Sequence, residues 1–173
     1  MRSFHLLHTD LGALSIVLWY RPPCYNEISS INDLFPECEK HGKESIGTII
    51  IGDLNVHHKP WLQFSNGISP EGRVLFEKCC VQGFQQCVRQ PTRGEYLLDL
   101  VLANVEELVT SKVVQKICDH NLVLSTISTN VSETDLGKRE VWEYDKADWK
   151  SIENIINEKI GIYSSLRVTP NKW

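Results

Sequence analysis

Ile46 to Ile51, reading IGTIII, form a continuous apolar run that ends in Gly52-Asp53-Leu54-Asn55. A run without polar alternation predicts a strand covered on both faces. The chain must therefore place material on each side of a sheet. Residues just past such a strand are held by a rigid scaffold and face solvent, which makes Asp53 and Asn55 candidates for chemistry. Taken alone, G-D-x-N at a strand end is also an ordinary turn, because Gly, Asp and Asn favour such positions.

The rest of the chain supplies partners for that strand. Ala13 to Tyr20 is rich in β-branched and aromatic residues and stops at Arg21-Pro22-Pro23, where a proline pair removes two ladder donors. Glu27 to His41 shows a weaker helical pattern through Ile31, Leu34 and Cys38, and Pro36 predicts a short or broken helix. Ser69-Pro70 opens a second helix with Ser as N-cap; its apolar face is Val74, Leu75, Cys79 and Val81, and Gly83 closes it. Short strands are expected over Phe84 to Val88, Tyr96 to Ala103, Ser111 to Ile117 and Leu122 to Ser128. Strands and helices alternate without regular βαβ spacing, which predicts a mixed-sheet α/β layer fold. Val131 to Glu140 is polar and charged and reads as a linker, followed by an amphipathic helix over Asp145 to Ile160. The expected organisation is one domain over residues 1–130, then a linker and helix over 131–173.

Three stretches carry acids or imidazole at strand ends. Asp99 is embedded in Leu97-Leu98-Asp99-Leu100-Val101-Leu102, where a charge is costly unless paired or bound to a metal. Asp119-His120 falls between two strands, and His120 is a natural partner for Asp99, since a carboxylate fixes the imidazole tautomer. Asp53, Asn55 and Asp119 near a hard cation would complete a phosphodiesterase site, with oxygen ligands selecting Mg²⁺ or Mn²⁺.

These elements carry a resemblance. Gly52-Asp53-Leu54-Asn55-Val56-x-His58, Leu98-Asp99-Leu100-Val101-Leu102, Cys118-Asp119-His120, Tyr20-Arg21-Pro22-Pro23 and Pro91-Thr92-Arg93 resemble, in order, motifs of the endonuclease/exonuclease/phosphatase (DNase I-like) superfamily. The Y-R-P-P and P-T-R elements resemble the endonuclease domains of non-LTR retrotransposons. The resemblance spans residues 11 to 128 and implies a four-layer α/β/β/α sandwich that nicks DNA to prime reverse transcription. It implies that Tyr20 contacts the scissile phosphate, that Asp53 orients the nucleophile with Asn55, that Asp99 supports His120, and that Asp119 and Asp53 bind metal. Arg21, His58 and Thr92 are its expected substrate-binding residues. The family's strand bearing a metal-binding Glu has no counterpart ahead of Tyr20, so an N-terminally truncated domain with impaired activity is expected. Two alternatives stay open: an inactive retroelement relic, and a superfamily member with another phosphorylated substrate.

Composition narrows the rest. A net charge of −4 and a pI of about 5.9 exclude a broad basic surface, the usual source of non-specific nucleic-acid affinity. The longest apolar run is too short to span a bilayer, so no membrane partner is expected. The six cysteines form no C-x-x-C pair and read as reduced, mostly buried thiols of an intracellular protein, nuclear if genomic DNA is the substrate. His57-His58 lacks cysteines at ligand spacing and is not a zinc site; His58 is expected in the site wall and His57 exposed. Trp142, Tyr144 and Trp149 are expected to dock the last helix, and the stretch around them resembles the approach to a reverse transcriptase domain.

Overall fold

The structure, a computed structural model of the chain, describes residues 1–116, 118–130 and 146–165. Contacts divide the chain into one unit over Met1–Thr134 and a second over Asp135–Trp173.

The apolar run lies at the centre of the first unit. It forms β3 (Ser45–Asp53), and Ile49 and Ile50, which point to opposite faces, are both essentially inaccessible. The preceding strand, β2 (Gly12–Trp19), runs parallel to β3, and β1 (Arg2–Thr9) runs antiparallel to β2. Beyond β3 lie β5 (Asp99–Ala103) and the two-residue β4 (Gln85–Gln86), both antiparallel to their neighbours, giving the order β1-β2-β3-β5-β4. The sheet is mixed, as expected. A separate antiparallel pair, β6 (Val109–Lys116) and β7 (Asn121–Ile127), presents Val113, Val123 and Ile127 to the core.

Helix α1 (Ser29–His41) crosses from β2 to β3 and buries Ile31, Leu34, Phe35 and Cys38. Its continuity corrects the expectation of a break at Pro36. Pro36 lies on the exposed side, where water satisfies the carbonyl it leaves free, and burial of the opposite stripe outweighs the lost bond. In α2 (Pro70–Val81) the Ser69 hydroxyl accepts the Gly72 N–H at 3.1 Å, the expected cap. Leu75 and Cys79 are buried, but Val81 is 83% exposed and is no part of the apolar face. Gly83, at φ +71°, ends the element.

No alternation in Met1–Thr9 predicts a strand. That segment nevertheless pairs with β2 from Arg2↔Trp19 to Thr9↔Gly12. It lacks a clean apolar alternation because it is an edge strand, where charge and polarity guard against further pairing. Arg2 instead bonds Glu37 at 3.0 Å, and Phe4 stacks on His41. The strand expected from Tyr96 starts only at Asp99. Leu97 N–H goes to Phe64 O and Leu98 O accepts from Leu54, so these residues serve the loops that frame the sheet end.

Of the cysteines only Cys38 and Cys79 are buried; Cys24, Cys80 and Cys118 are exposed and Cys87 is intermediate. The expectation of mostly buried thiols is corrected accordingly. Burial pushes the Cys38 thiol up to about 11 and the Cys79 thiol to about 12. In the second unit, Asp148 caps α3 (Trp149–Ser165) through Ser151 N–H at 3.0 Å. Ile152, Ile155 and Ile156 are 41–56% exposed there. The expected linker over Val131–Glu140, and Trp142 and Tyr144, lie outside the described residues. Among the described residues no helix is long and apolar enough to cross a membrane.

Candidate active site

Strand register builds the site. The β3–β5 ladder ends at the pair Asp53↔Asp99, so two carboxylates stand opposite each other on the last rung and on one face. Like charges in that position repel. The loop before β7 brings a third group between them: His120 Nδ1 lies 2.8 Å from Asp99 Oδ2, and Nε2 lies 3.9 Å from Asp53 Oδ2. One donor atom from each residue falls within 4.8 Å of the others. All three side chains are partly accessible, at 17–23%.

The turn after Asp53 is held from below. Asn55 sits at φ +46°, its N–H donates to Asp53 Oδ1 at 3.2 Å, and its side-chain nitrogen donates to Arg21 O at 2.9 Å. Arg21 N–H donates to Asp53 O at 2.9 Å. The Arg21 side chain, 1% exposed, gives bonds to the carbonyls of Leu54, Asn55, Cys24 and Glu27. Its charge is met by Glu27 at 3.6 Å and by the buried Glu71 of α2 at 3.9 Å. The Ser29 and Ser30 hydroxyls hold Glu27 down at about 2.

This placement sorts the expected residues. Asp53, Asp99 and His120 converge. Tyr20 follows β2, 54% exposed and open to solvent. Arg21 is corrected from substrate contact to framework, since its guanidinium is sealed beneath the Asp53 turn. His58 is buried at 7%, stacked on Phe76 with centroids 4.6 Å apart, and supports the wall from inside. His57 is half-buried against the Tyr96 ring, not exposed as expected, and burial lowers its pKa. Thr92, expected to bind substrate, is instead fully buried. Asp119 stands apart from the cluster: its carboxylate is exposed and bonds Arg93 at 2.8 Å, and a hydrogen bond from Cys118, with lesser help from Arg93, lowers its pKa. Glu27 and Glu71 were not singled out from the sequence, where an acid in a loop or a first helical turn carries no mark of burial.

A family model described as endonuclease-reverse transcriptase matches residues 14–124, a span that includes all three converging residues. The chain belongs to that family. It is thus an endonuclease/exonuclease/phosphatase superfamily member of the retrotransposon endonuclease kind. The endonuclease domain of TRAS1, a telomere-specific non-LTR retrotransposon, shares the fold, with a TM-score of 0.60 and 18% identity over 73% of this chain. This endonuclease-family chain spans 63% of the length of that domain. No curated protein matches it. The fold is DNase I-like, as the motifs implied.

The electrostatics of the family's site here are adverse to stability. Burial, and then the Asp99 charge, raise the Asp53 pKa above its ordinary 3.8, with His120 opposing. The folded state therefore binds more protons than the unfolded chain between 3.8 and the raised value. Asp53 contributes most favourably below 3.8, and that contribution is lost as pH rises through its folded pKa. Asp53→Asn is accordingly expected to raise Tm at pH 7 by about 2–4 °C, the equivalent of about 1 kcal/mol in a chain of this size. Melts at pH 3 should show no gain. An equal gain at both pH values would remove the charge explanation.

Proposed function

We propose that this chain hydrolyses DNA phosphodiester bonds, as the nicking module of a retrotransposon. The observation that carries the reading is the convergence of Asp53, Asp99 and His120 from three separate stretches of chain. Asp53, partly desolvated, orients the attacking water and accepts its proton; a raised pKa suits that task. Asp99 fixes the His120 ring through Nδ1, leaving Nε2 to donate to a phosphate oxygen when the ring is protonated. Asn55 shapes the turn that presents Asp53, and Tyr20 approaches the phosphate from the end of β2.

The carboxylate oxygens of Asp53 and Asp99 suit a hard divalent cation, with the imidazole left for hydrogen bonding. Mg²⁺ or Mn²⁺ held by the carboxylates of Asp53 and Asp99 would stabilise charge developing on the phosphoryl group. Asp119 could join only by leaving Arg93. This donor set is small for an ion that prefers about six ligands, which supports weak binding and slow nicking. DNA is the proposed substrate, a reverse transcriptase domain of the same element the proposed partner, and the nucleus the place of action. Residues 1–130 are the proposed nuclease domain, and 131–173 the proposed linker and amphipathic helix.

Supercoiled plasmid is the test. Relaxation should be slow, require Mg²⁺ or Mn²⁺, stop with chelator, and vanish in Asp53→Ala. Complete inactivity across metal concentrations would favour the inactive-relic reading, to which the Asp119–Arg93 pairing also lends support. Nicking that persists in chelator would sink the metal-dependent mechanism.

A further inference from the structure

Thr92 lies in the connection between β4 and β5, yet its side chain is fully buried. Its hydroxyl oxygen accepts two backbone N–H groups, from Leu98 at 3.1 Å and from Asp99 at 3.0 Å. Its carbonyl accepts the N–H of Asn121, the residue after His120, at 2.7 Å. The Asn121 side chain adds a bond to Pro91 O at 3.2 Å. Thr92 itself is steadied by its N–H to Tyr96 O at 2.8 Å. One residue therefore grips β5 at Asp99 and β7 immediately after His120, although these strands belong to different sheets.

We infer that Thr92 is a positioning residue that holds Asp99 and His120 in register across the gap between the two sheets. The hydroxyl fixes where β5 begins, and hence where the Asp99 carboxylate points. The carbonyl fixes where β7 begins, and hence the reach of the His120 ring. Together they maintain the 2.8 Å bond from His120 Nδ1 to Asp99. A carboxylate accepts only, so this bond sets the proton of the neutral ring on Nδ1. Valine matches threonine in shape but would leave two buried N–H groups without an acceptor. Those groups can recover partners only if the segment shifts, and the Asp99–His120 bond then lengthens. Serine keeps the acceptor.

Only the effect on turnover rests on the nuclease reading; the geometric claim does not. Long-range ¹H–¹⁵N spectra of the full chain, at a pH where the imidazole is neutral, report which ring nitrogen of His120 carries the proton. Wild type and Thr92→Ser should show Nδ1 protonated. Thr92→Val should show a mixture of the two tautomers while its circular dichroism stays native. A folded Thr92→Val with the wild-type tautomer overturns the proposal, as does a wild type without a proton on Nδ1. Should Thr92→Val fail to fold, Thr92→Ala removes the same hydroxyl acceptor with less bulk and is read the same way: a displaced tautomer supports the clamp and an unchanged one overturns it. In nicking assays Thr92→Val should lose about 10- to 100-fold in kcat with KM retained, the usual cost of losing such support, and Thr92→Ser should restore it. A tautomer shift without any change in nicking would leave the clamp standing and count against the nuclease reading.

Discussion

His120→Ala is expected to slow plasmid nicking by about two to four orders of magnitude, as loss of one preorganised acid–base or charge-stabilising group does. The two nitrogens of the imidazole address both carboxylates of the cluster, at 2.8 and 3.9 Å. Its removal would take away the donor proposed for the phosphate and leave Asp53 and Asp99 opposed without a mediator. The side chain is 22% exposed and fills no core, so the fold should survive. Tm should drop by no more than about 2–4 °C, the equivalent of about 1 kcal/mol. The decisive comparison is the ratio of first-order nicking rates at saturating Mg²⁺ for wild type and variant, alongside their melting curves. A ratio within about threefold would exclude His120 from the chemistry. A collapse of Tm would assign it to the framework instead.

Gly52→Ala is expected to have the largest effect on stability, a loss of about 3 kcal/mol or more. Gly52 sits at φ +154°, a conformation side chains rarely adopt. A Cβ there would overlap the carbonyl oxygen of Trp19. The obstacle is the backbone of β2, which cannot move without disturbing the sheet. A loss of that size corresponds to roughly 10 °C in Tm, and the variant is expected to recover poorly in soluble form. Gly67→Ala is the control, because a Cβ at Gly67 meets nothing within 4 Å. Equal melting temperatures for Gly52→Ala and wild type would show that β2 and β3 are not packed as described.

What could be read in the sequence was whatever carries its signal locally. The run Ile46–Ile51 announces a doubly covered strand in six letters, and Asp99 stands out because its neighbours are apolar. Both were legible for the same reason: a charge or its absence is informative only against a uniform background. Their convergence with His120 could be expected from a resemblance, but the rung that sets Asp53 opposite Asp99 depends on strand register, which neither segment states by itself. Arg21 and Thr92 differ from the expectation in the same direction, both being buried. An arginine beside two prolines and a threonine in a loop suit an exposed contact as well as a buried tie, and only the tertiary fold reveals the carbonyls and N–H groups that claim them. That Asp119 pairs with Arg93 could not be read locally, because the two are distant in sequence. The first strand escaped because polar side chains on an edge erase the alternation that marks a strand.

The buried Arg21 has a consequence for copies of such a gene as they age. Its bonds run to the backbone of the very turn that displays Asp53, so folding alone demands it, as it demands Gly52. A descendant without the proposed nuclease activity, yet still obliged to avoid degradation, would keep the arginine and the glycine while Asp53 and His120 drift. Survival of a Y-R or G-D signature in a decayed copy is then a record of solubility, and only the imidazole and its two acids would bear on the proposed chemistry.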